Sequence, residues 1–398
     1  MKSIYYLALA IICLIIATGT ISAQPFENNG WKNNPNLDFT EGGNFEDDFD
    51  ADMMAEWWYL NGDTKLVGQN GEKKDFSFFV VLAHQEINET LQTNLGAEKP
   101  QSYMLSFNGL YFDGETEADF NFIDTNVSRE NVTNYIAFGT PYVNYNYPDG
   151  SKSLTGNHLS GYHLDYETDR VDMDLYFQTN VDKTVDESVN SLNFTTYERS
   201  YGRLHGKITI DGVDYRVTQA NGYMDHMIPS NNINHNYGEL SWTTNMHGWS
   251  WSEVTTKNYQ TIAYAVRGID DGYDNYSYKH LTLLDKHTGK VLEEYSGNEI
   301  KINETNLIDT GYPDNTRSNN ITRPETVTFS TSDSRLNVTI TASQVAEFDY
   351  DPVSPFGKPV GFVDFMSHQP DGALIEYKGD RETGSAFYEY LVSDRVLW

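Results

Sequence analysis

The sequence contains a single cysteine, Cys13, among its 398 residues. This cysteine lies in the opening segment "MKSIYYLALAIICLIIATGTISAQPF", where Lys2 precedes an apolar run and small residues follow near Ala23. That order is typical of a secretory signal, so residues 1–23 are predicted to be a signal peptide. A chain without disulfides in an oxidising compartment must be stabilised by core burial alone.

Basic residues are also scarce, since 27 Lys and Arg stand against 58 Asp and Glu, for a formal net charge of −31. A field of this sign repels phosphate groups, which argues against nucleic acid and anionic lipid surfaces as partners. No later stretch is apolar enough to span a bilayer. The sequence therefore predicts a secreted protein with no membrane span after signal cleavage.

No window of 12 or more residues shows clean helical periodicity. Short aromatic and β-branched runs such as "DFSFFVVLAH" recur instead, bounded by Gly, Asn and Asp. In "DRVDMDLYFQT" apolar and polar residues alternate, and Asp211-Gly212 joins two alternating runs in a hairpin pattern. We expect an all-β protein whose antiparallel sheets close into barrels, because so many open edges would invite aggregation.

Two further features concern the surface of the chain. Residues 24–52 are polar and acidic and predict a flexible lead-in, since they lack the groups needed for a core. A calcium loop is disfavoured there because the glycine and the terminal glutamate of an EF-hand are missing. Eight glycosylation sequons predict a glycoprotein if the host glycosylates, namely those at Asn88, Asn126, Asn131, Asn193, Asn275, Asn303, Asn320 and Asn337.

Three segments concentrate the residues that could carry chemistry. They are "AEWWYLNGD" with Glu56 and Trp58, "NGYMDHMIPS" with Tyr223, Asp225 and His226, and "MHGWSWSEV" with Trp249 and Trp251. Strand alternation places Glu56 and Trp58 on one face and Trp57 and Tyr59 on the other. A carboxyl group enclosed by such rings would have a raised pKa and could hold or donate a proton.

Taken together, these segments resemble the AttH and carotenoid 1,2-hydratase family of lipocalin-like proteins. The shared motifs are Glu-Trp-Trp-Tyr, Gly-x-Tyr-x-Asp-His and Trp-x-Trp, in that order, and a closing hairpin with Glu376, Gly384 and Glu389. The resemblance implies two lipocalin-like antiparallel β-barrel domains packed together, with the site near their junction. We place the N-terminal domain at 53–235 and the C-terminal domain at 236–398, because "IPSNNINHNYG" is rich in turn formers.

The resemblance also implies a cofactor-free hydratase or isomerase that acts on a lipophilic, isoprenoid-like or prenylated small molecule. In this scheme Asp225 donates a proton to an alkene, Tyr223 orients it, and His226 hydrogen-bonds behind it. The substrate-binding residues would be Glu56, Trp58, Trp249 and Trp251. The chain departs from the family pattern after His226, where Met227-Ile228-Pro229 replaces Asn/Gln-Trp-Gly.

Other interpretations remain open at this point. Asp225 and His226 could cap a turn and bond across the domain junction, and Glu56 could simply begin a strand. A metal site is not expected, because no His-x-His or His-Glu-x-x-His spacing occurs. A serine hydrolase is not expected either, because the sequence lacks the Gly-x-Ser-x-Gly motif of the nucleophile elbow. A secreted protein that carries a lipophilic molecule without chemistry fits the same scaffold.

Overall fold

The structure is a computed structural model that describes residues 53–87, 102–124, 132–137, 140–157, 160–179, 185–189, 194–229, 246–268, 275–313, 320–350 and 362–393. Within these ranges the chain forms antiparallel β-strands almost throughout, which confirms the predicted all-β class. No helix of the described part is long and apolar enough to cross a membrane. The predicted signal peptide and acidic lead-in lie outside the described residues.

The first sheet contains eleven strands in the order β4-β3-β2-β1-β11-β10-β8-β7-β6-β5, with β9 paired to β10. The strands are β1 (Met53–Gly68), β2 (Lys73–Ile87), β3 (Ser102–Phe112), β4 (Glu115–Asp124), β5 (Val143–Asn146), β6 (Lys152–Asn157), β7 (Gly161–Glu167), β8 (Val171–Thr179), β9 (Val185–Val189), β10 (Phe194–Ile210) and β11 (Val213–Pro229).

The second sheet contains ten strands in the order β15-β14-β13-β12-β21-β20-β18-β17-β16, with β19 paired to β20. The strands are β12 (Met246–Thr255), β13 (Tyr259–Gly268), β14 (Tyr278–Asp285), β15 (Val291–Ser296), β16 (Ile300–Pro313), β17 (Asn320–Thr331), β18 (Leu336–Thr341), β19 (Gln344–Tyr350), β20 (Phe362–Tyr377) and β21 (Asp380–Ser393). A 3₁₀ turn at Gly297–Glu299 links β15 to β16.

Each sheet curls around its own apolar core. In the first, Phe112 of β3 and Val143 of β5 share one buried cluster although their strands lie near opposite ends of the sheet. In the second, Tyr295 of β15 and Ile300 of β16 do the same at the two sheet edges. Edges that meet over a common core produce a barrel-like shape, so the prediction of two packed β-barrel domains is confirmed.

A third buried cluster lies between the two sheets, and we call it the junction layer. Its residues are Tyr59, Phe79, Val81, Ala83, Tyr111, Tyr223 and Met227 from the first sheet, and Trp249, Trp251, Ile262, Val266, Leu284, Ala346, Phe348, Met366, Phe387 and Leu391 from the second. Gly109 allows close contact here, because a Cβ at this position would lie 2.4 Å from the Phe79 ring and 3.0 Å from Cβ of Ala346.

The junction layer explains why some strands are apolar along their whole length. In "DFSFFVVLAH", Phe78, Val80 and Leu82 face the first core, and the intervening residues face the junction layer. A strand buried on both faces has no solvent side to mark with polar residues. The predicted boundary between 235 and 236 falls in a segment outside the described residues, after β11 ends at Pro229 and before β12 begins at Met246.

Candidate active site at the junction of the two sheets

Two of the sequence motifs lie side by side on β1 and β11. The strand register sets Tyr59 opposite Asp225 and Trp58 opposite His226. Because successive side chains alternate between the faces of a strand, Asp225 and His226 point to opposite sides of the sheet. Tyr59 belongs to the junction layer and Trp58 to the first core. Asp225 therefore faces the second sheet, whereas His226 faces the interior of the first barrel.

Asp225 is the central carboxyl group of this site and is only 7% exposed. Its Oδ2 accepts a hydrogen bond of 2.9 Å from the Tyr223 hydroxyl, and its Oδ1 has no hydrogen-bond partner among the described residues. Burial raises the pKa of Asp225 to about 7, although hydrogen bonds from the Tyr223 and Trp57 side chains oppose the shift. Near neutral pH a large fraction of this carboxyl therefore carries a proton.

Aromatic rings from both sheets enclose Asp225. The Trp251 ring lies 5.3 Å from the Tyr59 ring and 5.2 Å from the Tyr223 ring, between ring centroids. Trp57 and Trp249 form a further contact across the junction at 5.9 Å. Both tryptophans of "MHGWSWSEV" thus face the site, as their two-residue spacing on one strand requires.

Two more carboxyl groups lie in the same layer, from Asp364 of β20 and Glu389 of β21. Asp364 is fully buried and pairs in register with Phe348 and Leu391, both in the junction layer. Glu389, which is partly exposed, pairs with Trp251 on the neighbouring strand β12. Neither residue was among the site residues predicted from the sequence, and the packing of the second sheet on the first brings Glu389 close enough to interact with Asp225.

The electrostatics of these two groups follow from their enclosure. Burial raises the pKa of Asp364 to about 8. Burial also raises the pKa of Glu389 well above its ordinary value, with the charges of Asp364 and then Asp225 adding to the shift and the Trp249 indole opposing it. Acids that interact this closely cannot all ionise together. The site therefore holds at least one protonated carboxyl near neutral pH.

The face behind Asp225 carries a different arrangement. His226 Nε2 lies 2.7 Å from Glu56 Oε1, and both side chains are buried. The His226 ring stacks on Trp58 at 4.8 Å with an interplanar angle of 16°, and Trp58 contacts Tyr145 edge-on at 5.6 Å. These residues line the interior of the first barrel, so the sheet separates them from the junction layer.

The predicted site residues thus fall into two groups. Tyr223, Asp225, Trp249 and Trp251 come together in the junction layer. Glu56, Trp58 and His226 come together on the other side of the sheet. The hydrogen bond that His226 makes to Glu56 replaces the predicted one to Asp225, because adjacent residues in an extended strand cannot share a face.

Another polar cluster lies in the same interface, around Asp63 and His368. His368 Nε2 is 2.6 Å from Asp63 Oδ1, which joins a strand of the first sheet to β20 of the second. Glu253 lies on the strand face that carries Trp249 and Trp251, and burial raises its pKa to about 7 although Gln260 and Thr255 donate hydrogen bonds to it. Among the described residues, no group of three or more His, Cys, Asp or Glu is placed to hold a metal ion.

Comparison with known proteins yields matches at the level of structure. No protein-family model and no curated protein matches the chain. A provisionally assigned AttH protein from Nitrosomonas europaea aligns over 90% of this chain and 100% of its own, with a TM-score of 0.57 and 15% identity. CghA, crystallised with Sch210972, aligns over 89% and 95%, with a TM-score of 0.53 and 10% identity.

Kievitone hydratase from Nectria haematococca aligns less well, over 95% of this chain and 96% of its own, with a TM-score of 0.48 and 12% identity. The chain shares its fold with the AttH-like structures, as the sequence resemblance predicted. Identities this low extend the likeness to the fold alone, so function must be argued from the site itself.

Proposed function

We propose that the protein is a secreted, cofactor-free enzyme of the hydratase or isomerase type that acts on a lipophilic, isoprenoid-like or prenylated small molecule. The observation that carries this proposal is the buried Asp225 carboxyl, with a pKa of about 7, which accepts a hydrogen bond from Tyr223 beside the packed rings of Tyr59 and Trp251. The fold shared with CghA, a protein crystallised with the small molecule Sch210972, supports a ligand site on this scaffold.

The reaction needs only groups of this chain and water. Asp225 transfers its proton to one carbon of an electron-rich alkene, which leaves a tertiary cation on the other carbon. The faces of the neighbouring rings stabilise this cation by about 1 to 2 kcal/mol each where water is excluded. A water oxygen then bonds to the cation and releases a proton to the Asp225 carboxylate, which restores the acid and completes the hydration.

Asp225→Asn tests the proposal directly. The amide keeps the shape of the side chain and cannot protonate an alkene, so turnover of prenylated phenols, measured as a gain of one water by mass spectrometry, should fall by about 10² to 10⁴-fold. In the wild type, turnover should fall as the pH rises through about 7, because Asp225 loses its proton there.

Tyr223→Phe is the matched control, because it removes the hydrogen bond to Asp225 and leaves the acid in place. This variant should retain measurable hydration, with an activity profile displaced to higher pH because the tyrosine normally lowers the pKa of the acid. Full activity in Asp225→Asn would refute the proposal. Recovery of every probe bound and chemically unchanged from the wild type would instead establish a carrier.

A further inference from the structure

Asp364 lacks the hydrogen bonds that a buried carboxyl group normally makes. It is 0% exposed, and neither carboxyl oxygen has a hydrogen-bond partner of ordinary geometry among the described residues. The amide of the next residue, Phe365, faces the carboxyl closely enough to lower its pKa slightly. A buried polar group left without a partner costs about 1 to 3 kcal/mol. Such groups are few in native structures, and a catalytic or binding role is one of the explanations for them.

The strand geometry directs this carboxyl into the junction layer. Along β20, Asp364 shares a face with Met366 and His368, while Val363 and Phe365 belong to the second core. Met366 accepts a hydrogen bond of 2.8 Å on its backbone oxygen from the Tyr111 hydroxyl of the first sheet. The face that bears Asp364 is therefore the face that meets the first barrel.

The titratable groups around Asp364 come from both sheets. Tyr111 of β3 and Glu389 of β21 both interact electrostatically with Asp364. The charge of Asp225, on β11, in turn raises the pKa of Glu389. Among the described residues, burial is the main cause of the raised pKa of Asp364, and no basic side chain opposes it. The acid is consequently held in its neutral form, in which it can donate a hydrogen bond rather than only accept one.

The geometry points to Asp364, with Glu389 beside it, as a hydrogen-bonding anchor for a carbonyl oxygen of the ligand, a role that rests on the proposed function placing the alkene beside Asp225. A carbonyl oxygen accepts hydrogen bonds and carries no charge, so it satisfies a neutral acid without competing for its proton. Of the side chains that interact with Asp225 and Asp364, those of Trp57 and Glu389 are partly exposed. The ligand class is thus an isoprenoid-like chain that bears a carbonyl group, rather than a plain hydrocarbon.

Binding of two matched probes tests this anchor. Geranylacetone and the hydrocarbon of the same carbon skeleton without the carbonyl oxygen are titrated into the protein, with tryptophan fluorescence as the readout. The wild type should bind the ketone about tenfold more tightly than the hydrocarbon, which is the loss expected for one unmade hydrogen bond in a buried site. That preference should decline as the pH rises above about 8, because Asp364 loses its donor proton there.

Two variants separate the anchor from other roles. Asp364→Leu should bind both probes equally, and Asp364→Asn, which keeps a donor, should prefer the ketone at every pH. Equal binding of the two probes by the wild type, or an unchanged ketone preference in Asp364→Leu, would overturn the inference. If Asp364→Leu fails to fold, a pH-dependent preference in Asp364→Asn matching the wild type would overturn it as well.

The anchor and the proposed function fail in different experiments. Asp225→Asn should retain the ketone preference while losing turnover. A ketone preference that survives in Asp364→Asn together with full turnover in Asp225→Asn would retain the anchor and remove the proposed chemistry. If Asp225→Asn loses turnover but the wild type shows no preference for the ketone, the proposed chemistry stands and the anchor is removed.

Discussion

The two faces of the β1–β11 pair treat buried carboxyl groups in opposite ways. On the inner face, Glu56 has His226 at 2.7 Å and an aromatic ring stacked over that histidine. On the outer face, Asp225 keeps its Oδ1 without a hydrogen-bond partner among the described residues, and Asp364 of β20, in the second sheet, keeps both oxygens so. Burial alone therefore does not distinguish a structural acid from a reactive one. What differs is whether each oxygen of the carboxyl group has a hydrogen-bond partner.

The inner pair is the place where breaking a contact should cost most. Glu56→Ala leaves His226 buried without its carboxylate, so the free energy of unfolding should fall by about 3 to 5 kcal/mol. Urea denaturation measures this change. Glu56→Gln is the matched control, because its amide oxygen still accepts a hydrogen bond, and it should cost less. A Glu56→Ala protein within 1 kcal/mol of the wild type would contradict a structural role.

Sequence patterns predicted the fold well because the burial of each strand face determines which positions along the strand are apolar. In β8, Val171 and Met173 are buried while the alternating Asp174 is exposed, which is the period of a sheet with one face in solvent. In β2, Phe78 and Phe79 are both buried because a barrel core lies on one side and the junction layer on the other. The apolar run of β2 thus marks where two domains meet.

The site was only partly predictable, for a physical reason. Alternation predicted correctly that Trp58 shares a face with Glu56, yet it cannot tell which face meets the second barrel. That choice decided whether Asp225 or the His226–Trp58 pair faces the second sheet. Asp364 offered no local signal, since an acid in a hydrophobic strand becomes part of a site only through the register of β20 with its neighbours.

The Asp63–His368 pair spans the two sheets and joins a carboxyl group of the first to a histidine of the second. Burial alone would raise the pKa of Asp63, but the charge and hydrogen bond of His368 outweigh it and lower the pKa. A depressed folded-state pKa contributes stability above the unfolded value of about 3.8 and loses it as the pH falls through the folded value. The pair should therefore stabilise the junction at neutral pH and not in strong acid.

Asp63→Asn should accordingly lower the free energy of unfolding at pH 7 by about 1.5 to 3 kcal/mol, the usual contribution of a hydrogen bond to a charged group. The difference from the wild type should shrink below pH 3.8, where the wild-type carboxyl takes up its proton. Denaturation curves recorded at both pH values provide the measurement. A difference that stays constant across this range would mean that the aspartate contributes by shape rather than by charge.

The smallest effect is expected at an exposed pair of similar geometry. His163 Nε2 lies 2.9 Å from Asp174 Oδ1 on the solvent face of the first sheet, with the two side chains 32% and 53% exposed. Solvent screens both side chains in the folded state as well as in the unfolded state. Asp174→Asn should therefore change the free energy of unfolding by at most about 1 kcal/mol. This pair and the Glu56–His226 pair differ little in separation and greatly in burial. A loss as large as that of Glu56→Ala would show that the separation of the two groups, and not their burial, sets the stability of such pairs.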